Sequence, residues 1–280
     1  MAERKTSIER ILVALDASPA SVSALQTAVE LAARLGARLV GLFVEDINLL
    51  RVTQLPFTRE VSLLSPRFRP LESGELERQL RVQAEQMRQA MAQLAAASKI
   101  DWDFRVTRGS VSGEVMTAGA EADLVILGKI GRSFSAARRM GSTVRMMVMQ
   151  RPGLTLILQA GGRLTVPVVV FYDGSESGES ALEAAGQLVK AEDGKLTVMV
   201  LAESKEEARA FQMSTLERLQ QLGLGADFRL LVKPTTGGLL QLVQRETTGP
   251  VVIPCGLERL QGERLCALID EMPNPVLLVR

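Results

Sequence analysis

The sequence predicts an α/β protein made of two successive five-stranded parallel sheets, each doubly wound by helices. Three observations carry this expectation. Short apolar runs alternate with stretches whose apolar residues recur at helical spacing. The first two runs are joined through a helix, the crossover that parallel strands require. The whole succession then begins again near the middle of the 280 residues, a long period of the kind that decides a fold.

Residues 11–15 are an apolar run closed by Asp16, and Ser18-Pro19 supplies an N-cap and a first-turn proline for a helix. Val22, Leu25, Val29 and Ala32 form its apolar stripe, and Gly36 ends it. Residues 38–44 form the second strand, ending at Glu45-Asp46. Between residues 47 and 75 the pattern lapses around Pro56, Pro66 and Pro70, yet apolar residues persist. A connection of that length points to a lid, a partner-docking segment or partial disorder, and its apolar content favours the first two. Residues 75–98 form an amphipathic helix, with Leu76, Leu80, Ala84, Met87, Met91 and Leu94 on one side, as expected of a helix covering a sheet. A third strand (104–107), a short helix (113–122), a fourth strand (124–127), a helix (144–150) and a fifth strand (154–158) complete the first unit.

The second unit opens with residues 166–172 and Asp173-Gly174-Ser175, which parallel residues 11–15 and Asp16-Ala17-Ser18. Helix, strand 196–201, helix 206–222 and Phe228-Arg229-Leu230 follow, and Gly237-Gly238 echoes the helix start near Gly113. Residues 251–254 and 276–279 supply the last two strands, and the units meet near Gly161-Gly162.

The stretch most charged with chemistry is 123–145. An apolar strand ends at Gly128, a helix starts at Ser142, and between them stand Gly131 and Gly141. Lys129, Arg132, Arg138, Arg139 and Arg145 accompany them without a carboxylate. Glycine lets backbone approach a bulky anion, and a helix N-terminus offers unpaired N–H groups and a positive dipole end. The combination predicts a phosphate cradle. At the matching place the second unit reads Pro254-Cys255-Gly256-Leu257-Glu258, then Gly262-Glu263, shorter and acidic, which disfavours phosphate.

Composition narrows the options. Lys plus Arg (33) balances Asp plus Glu (32), which argues against a nucleic-acid coat or a membrane-surface role. No run approaches the roughly 18 apolar residues of a membrane span, and the first ten residues lack a signal-like apolar core, so a cytoplasmic protein is expected. Cys255 and Cys266 lack zinc or redox spacing and read as reduced packing residues. There is no histidine, which removes the commonest general base and most transition-metal sites.

The chain resembles the universal stress protein family in a tandem form. The family's ATP signature is Gly, two residues, Gly, nine residues, then Gly-Ser or Gly-Thr, and Gly128, Gly131, Gly141 and Ser142 match every fixed position. Asp16 after the first strand, Phe43-Val44-Glu45-Asp46 after the second, and the lead-in Asp123-Leu124-Val125-Ile126-Leu127-Gly128 agree as well. The resemblance implies a Rossmann-like sheet in the order 3-2-1-4-5, so that strands 1 and 4 part at a ligand crevice. It implies a nucleotide-binding domain over residues 1–160 and a degenerate second domain over 163–280. It also implies ATP as ligand. Asp16 would face the nucleoside or a bound Mg2+, the Val44 backbone would meet adenine, and Ala14, Leu15 and Leu127 would lie alongside. Gly128, Gly131, Gly141, Ser142 and Thr143 would hold ribose and phosphates. Charge alone adds Lys129, Arg132 and Arg138 or Arg139. The second domain would pack as a built-in pseudo-dimer through strands 154–158 and 276–279, with a homodimer as a further option.

No P-loop occurs, and no residue near the cradle stands out as one that positions water. The expected function is a nucleotide-dependent regulator of the stress response with an unknown protein partner. The alternatives are a slow Mg-dependent ATPase and an adaptor with a vestigial pocket.

Overall fold

The computed structural model describes residues 8–53, 59–61, 68–70, 73–130, 140–190 and 195–280. The first half of the chain runs β1 (Arg10–Leu15), α1 (Pro19–Leu35), β2 (Arg38–Asp46), α2 (Ile47–Val52), β3 (Arg59–Val61), β4 (Phe68–Pro70), α3 (Ser73–Ser98), β5 (Trp102–Gly109), α4 (Val111–Gly119), β6 (Leu124–Gly128), α5 (Ser142–Gln150) and β7 (Leu154–Leu158). The second half runs β8 (Val168–Tyr172), α6 (Glu176–Lys190), β9 (Leu196–Ala202), α7 (Lys205–Gln221), β10 (Ala226–Val232), α8 (Thr236–Glu246), β11 (Val251–Pro254), α9 (Glu263–Glu271) and β12 (Val276–Val279).

Ten of these strands form one sheet, ordered β10-β9-β8-β11-β12-β7-β6-β1-β2-β5. Each half therefore has the expected order 3-2-1-4-5, and within each half neighbouring strands are parallel. The expectation of two sheets needs one refinement. Their fifth strands, β7 and β12, pair antiparallel, Leu154 with Val279 and Ile157 with Val276. Each would otherwise be an open apolar edge, the feature that invites association. The antiparallel joint turns the halves head to tail. The turn entering β12 thereby sits beside the carboxyl end of β7, and the turn entering β7 beside that of β12.

Side chains alternate between two apolar layers because successive residues of a strand face opposite sides. Ile11, Val13 and Leu15 face α1 and α3, and Val168, Val170 and Tyr172 face α6 and α7. Leu12, Val125, Leu127, Val169 and Phe171 face α4, α5, α8 and α9. α1 follows its sequence signals closely: Ser18 accepts from the Ser21 N–H as N-cap, and Gly36 ends the helix in the left-handed region. Val22, expected in its buried stripe, is exposed instead. The 47–75 connection contains α2 and the short antiparallel pair β3–β4, while residues 54–58, 62–67 and 71–72, and with them part of the expected lid, lie outside the described residues. No described helix is long and apolar enough to cross a membrane.

Candidate functional site

Strand order places the switch point between β1 and β6, whose connections leave in opposite directions. Asp16, Val44 and Gly128 stand at this carboxyl edge: Asp16 just past β1, Val44 two residues before the end of β2, and Gly128 at the end of β6.

Asp16 builds the first turn of the crevice. Its Oδ1 accepts the Ser18 N–H (3.0 Å), its own N–H donates to Ser21 Oγ (3.0 Å), and Ala17 adopts φ 58°. The second half repeats the device: Asp173 Oδ1 accepts from the Ser175 N–H (3.1 Å) and Ser175 Oγ (2.6 Å), and Gly174 has φ 77°. An aspartate here is thus explained by the turn it folds, and it persists in the half that lacks the glycine signature.

At the end of β2, Val44 packs against the α4–α5 layer. Glu45 is buried and meets the Arg108 guanidinium at 2.8 Å, and Arg108 also reaches Glu77 of α3 at 3.3 Å. Asp46 caps α2 through the Asn48 N–H (2.9 Å). Ala14, Leu15 and Leu127 are interior strand residues whose side chains pack into the two layers.

Gly128 is closely packed. A Cβ there would lie 3.0 Å from Ala20 Cβ, 3.1 Å from the Ala20 carbonyl carbon and 3.2 Å from the Ser21 nitrogen, so the first turn of α1 rests directly on it. Gly128→Val should therefore lower stability by about 1–3 kcal/mol through overpacking, read as a fall in melting temperature without nucleotide. An unchanged melting temperature would show that α1 yields freely.

Lys129, expected as a phosphate cation, makes contacts with the second half. It is buried, and its ammonium donates to the carbonyls of Asp270 (2.9 Å) and Met272 (3.0 Å) at the end of α9. Lysine near a helix C-terminus satisfies its last carbonyls and its dipole. The second half also contributes Asp270 Oδ1, which accepts the Met140 N–H at 2.6 Å. Glu263 pairs with Arg145 of α5, so an acid expected to repel phosphate in the second half neutralises a base of the first.

α5 opens at Gly141, whose N–H donates to the Lys129 carbonyl (3.0 Å). Its N-cap glycine offers no side-chain cap, as is also true of α9 at Gly262, whereas α1, α2, α4, α7 and α8 are each capped by Ser, Asp or Thr. The first turn of α5 thus presents backbone N–H groups for which its N-cap residue supplies no acceptor. Ser142 is exposed, and the Thr143 hydroxyl lies 3.1 Å from that of Ser112 on α4. Gly131, Arg132, Arg138 and Arg139 lie outside the described residues. Among the described residues no group of three or more His, Cys, Asp or Glu could hold a metal ion. A divalent ion here would have Asp16 as a protein carboxylate and would come with phosphate oxygens, as Mg2+ commonly does.

The corresponding edge of the second half is built differently. Val13 pairs with Ile126 and Val170 with Val252, so the register puts Pro254 where Gly128 stands and Cys255 where Lys129 stands. The Phe211 ring lies on Gly174, 2.3 Å from where a Cβ would be, and meets Tyr172 edge-on at 6.1 Å. Burial pushes the Cys255 thiol up from its ordinary pKa, which suits a packing residue rather than a nucleophile.

Comparison with known proteins agrees with this architecture. Over its whole length the chain is similar to a universal stress protein from Archaeoglobus fulgidus (TM-score 0.74, 18% identity, covering 98% of this chain and 97% of that one). It is similar also to a putative universal stress protein from Pseudomonas aeruginosa (TM-score 0.58, 12% identity, 98% and 94% covered). A third likeness is the cytoplasmic domain of a prokaryotic cation chloride cotransporter (TM-score 0.52, 12% identity, 97% and 95% covered). At such identities these show the fold alone. A sequence comparison with curated proteins finds no match. The model of the universal stress protein family matches residues 7–150, which contain the switch point, the glycine signature and α5, and the chain belongs to that family.

Proposed function

We propose that the chain is an ATP-binding universal stress protein that works as a nucleotide-dependent regulator, with its one nucleotide site at the β1–β6 switch point. The division of labour would follow a first domain over residues 1–160 and a second over 163–280. The observation that carries the reading is the opening of α5. A glycine without a side-chain cap begins this helix at the crevice mouth, at the signature position of Gly141-Ser142. A helix start of that kind suits a phosphate. Asp16 and the Val44 backbone would complete the nucleoside side, with Mg2+ arriving on the phosphates. Pro254 and the Phe211 ring make the second edge a poor nucleotide site.

One observation favours the adaptor alternative. Lys129 and Arg145, two of the cradle's bases, are engaged by the second half. A melting experiment separates the readings. A ligand at about 100 times its Kd stabilises by about 2.7 kcal/mol, or roughly 5–10 °C in a chain of this size. ATP with Mg2+ should produce such a rise in the wild-type chain and in Asp173→Ala. No rise at millimolar ATP makes the protein an adaptor.

A further inference from the structure

We propose that Asp270 of α9 is a positioning residue for the nucleotide site of the other half, so that docking of the second half and nucleotide occupancy are coupled. This rests on the nucleotide reading above. Because β7 and β12 pair antiparallel, the turn from α9 into β12 lies at the carboxyl edge of the first half, next to β6 and β7. Three contacts follow. Lys129, the residue after β6, donates its ammonium to the Asp270 and Met272 carbonyls. Gln159, the residue after β7, donates to the Met272 carbonyl at 2.7 Å. The Asp270 carboxylate accepts the N–H of Met140, the residue before Gly141. The two chain segments that flank the glycine loop are thus held by one turn of the second half and joined to each other through the Gly141 N–H.

The reciprocal contact shows which part of this clasp is general and which part is special. At the other end of the seam, Arg280 donates to the carbonyls of Val148 and Met149 at the end of α5 (both 2.8 Å), as Lys129 does to α9. A cation on the partner half's helix end is therefore common to both. Counting from the N-caps Gly141 and Gly262, the counterpart of Asp270 is Met149, and the Met149 methyl lies 3.9 Å from where a Cβ of Gly262 would be. The same place on the helix faces the same place on the opposite half. Only at the glycine loop is it occupied by a carboxylate that binds backbone. A charged acceptor on a backbone N–H makes a strong, directional bond. It holds Met140, and so aims the first turn of α5, without touching the ligand. Coupling is reciprocal by linkage, so nucleotide should in turn tighten the seam.

The test uses the full chain with ATP and Mg2+, calorimetric Kd, and hydrogen exchange at the Met140 amide without nucleotide. Asp270→Ala should weaken binding about tenfold and speed exchange by a similar factor. Asp270→Asn, which keeps the acceptor, should stay within about twofold of wild type, and Met149→Ala should leave Kd unchanged. Asp270→Glu, which keeps the charge but moves it, should lose binding like the alanine variant and serves if that variant does not fold. Wild-type binding that Asp270→Ala and Asp270→Glu both retain overturns this inference alone. A wild-type chain that binds no ATP overturns the nucleotide reading together with it.

Discussion

Arg151→Met is expected to lower the stability of the folded chain by about 3–5 kcal/mol, the largest single loss among these predictions. Arg151 follows α5, is 5% exposed, and spends its guanidinium on backbone. Nη1 donates to the Leu154 carbonyl (2.6 Å), and Nη2 to the carbonyls of Gly119 (3.1 Å) and Ala122 (2.7 Å) at the end of α4. One side chain thus joins α4, α5 and β7 beneath the switch point. Burial lowers its pKa to about 10, with Asp123 opposing the shift, so it is charged at neutral pH. Methionine fills similar space but leaves three carbonyls without this donor. Lysine, with one nitrogen and no planar fork, should recover only part of the loss. Chemical denaturation at pH 7 measures it, and a change below about 1 kcal/mol would mean that water replaces the guanidinium without penalty.

Lys129→Met is expected to cost about 2–4 kcal/mol without any nucleotide present, because hydrogen bonds from a buried charged donor are worth about 1.5–3 kcal/mol each. Met272 retains the Gln159 bond, so the unpaired group is chiefly the Asp270 carbonyl. This experiment distinguishes two uses of the same lysine. As a phosphate ligand, Lys129 could be replaced with little change in the melting temperature of the nucleotide-free chain. As the cation on the end of α9, its loss lowers that temperature by roughly 5–10 °C. An unchanged nucleotide-free melting temperature, with weaker ATP binding, would return Lys129 to the phosphates.

Much of the fold was legible in one dimension. The apolar runs closed by Asp16 and Gly128, the Ser18-Pro19 helix start and the Gly36 stop all signal through neighbours a few residues away, and the structure uses them so. The resemblance supplied the strand order, which local pattern does not contain. The candidate site was legible as a place rather than as a set of roles. Asp16 and Gly128 stand at the crevice, yet their visible work is to fold a turn and to admit α1. Lys129 and Arg145 read as free bases in a basic segment, because their partners lie more than 100 positions away in the other half. Asp270 gave no signal at all, being one acid at the end of an amphipathic helix.

The sequence by itself determined the α/β class, the repetition, and the family to which the signature points, since these rest on periodicity and on residues close in the chain. Only the tertiary structure decided how the charges are spent. The antiparallel pairing of β7 with β12 sets each half's final helix against the other's carboxyl edge. Buried charges must find partners wherever folding brings them, and here the partners of the glycine segment's Lys129 and Arg145 belong to the second half.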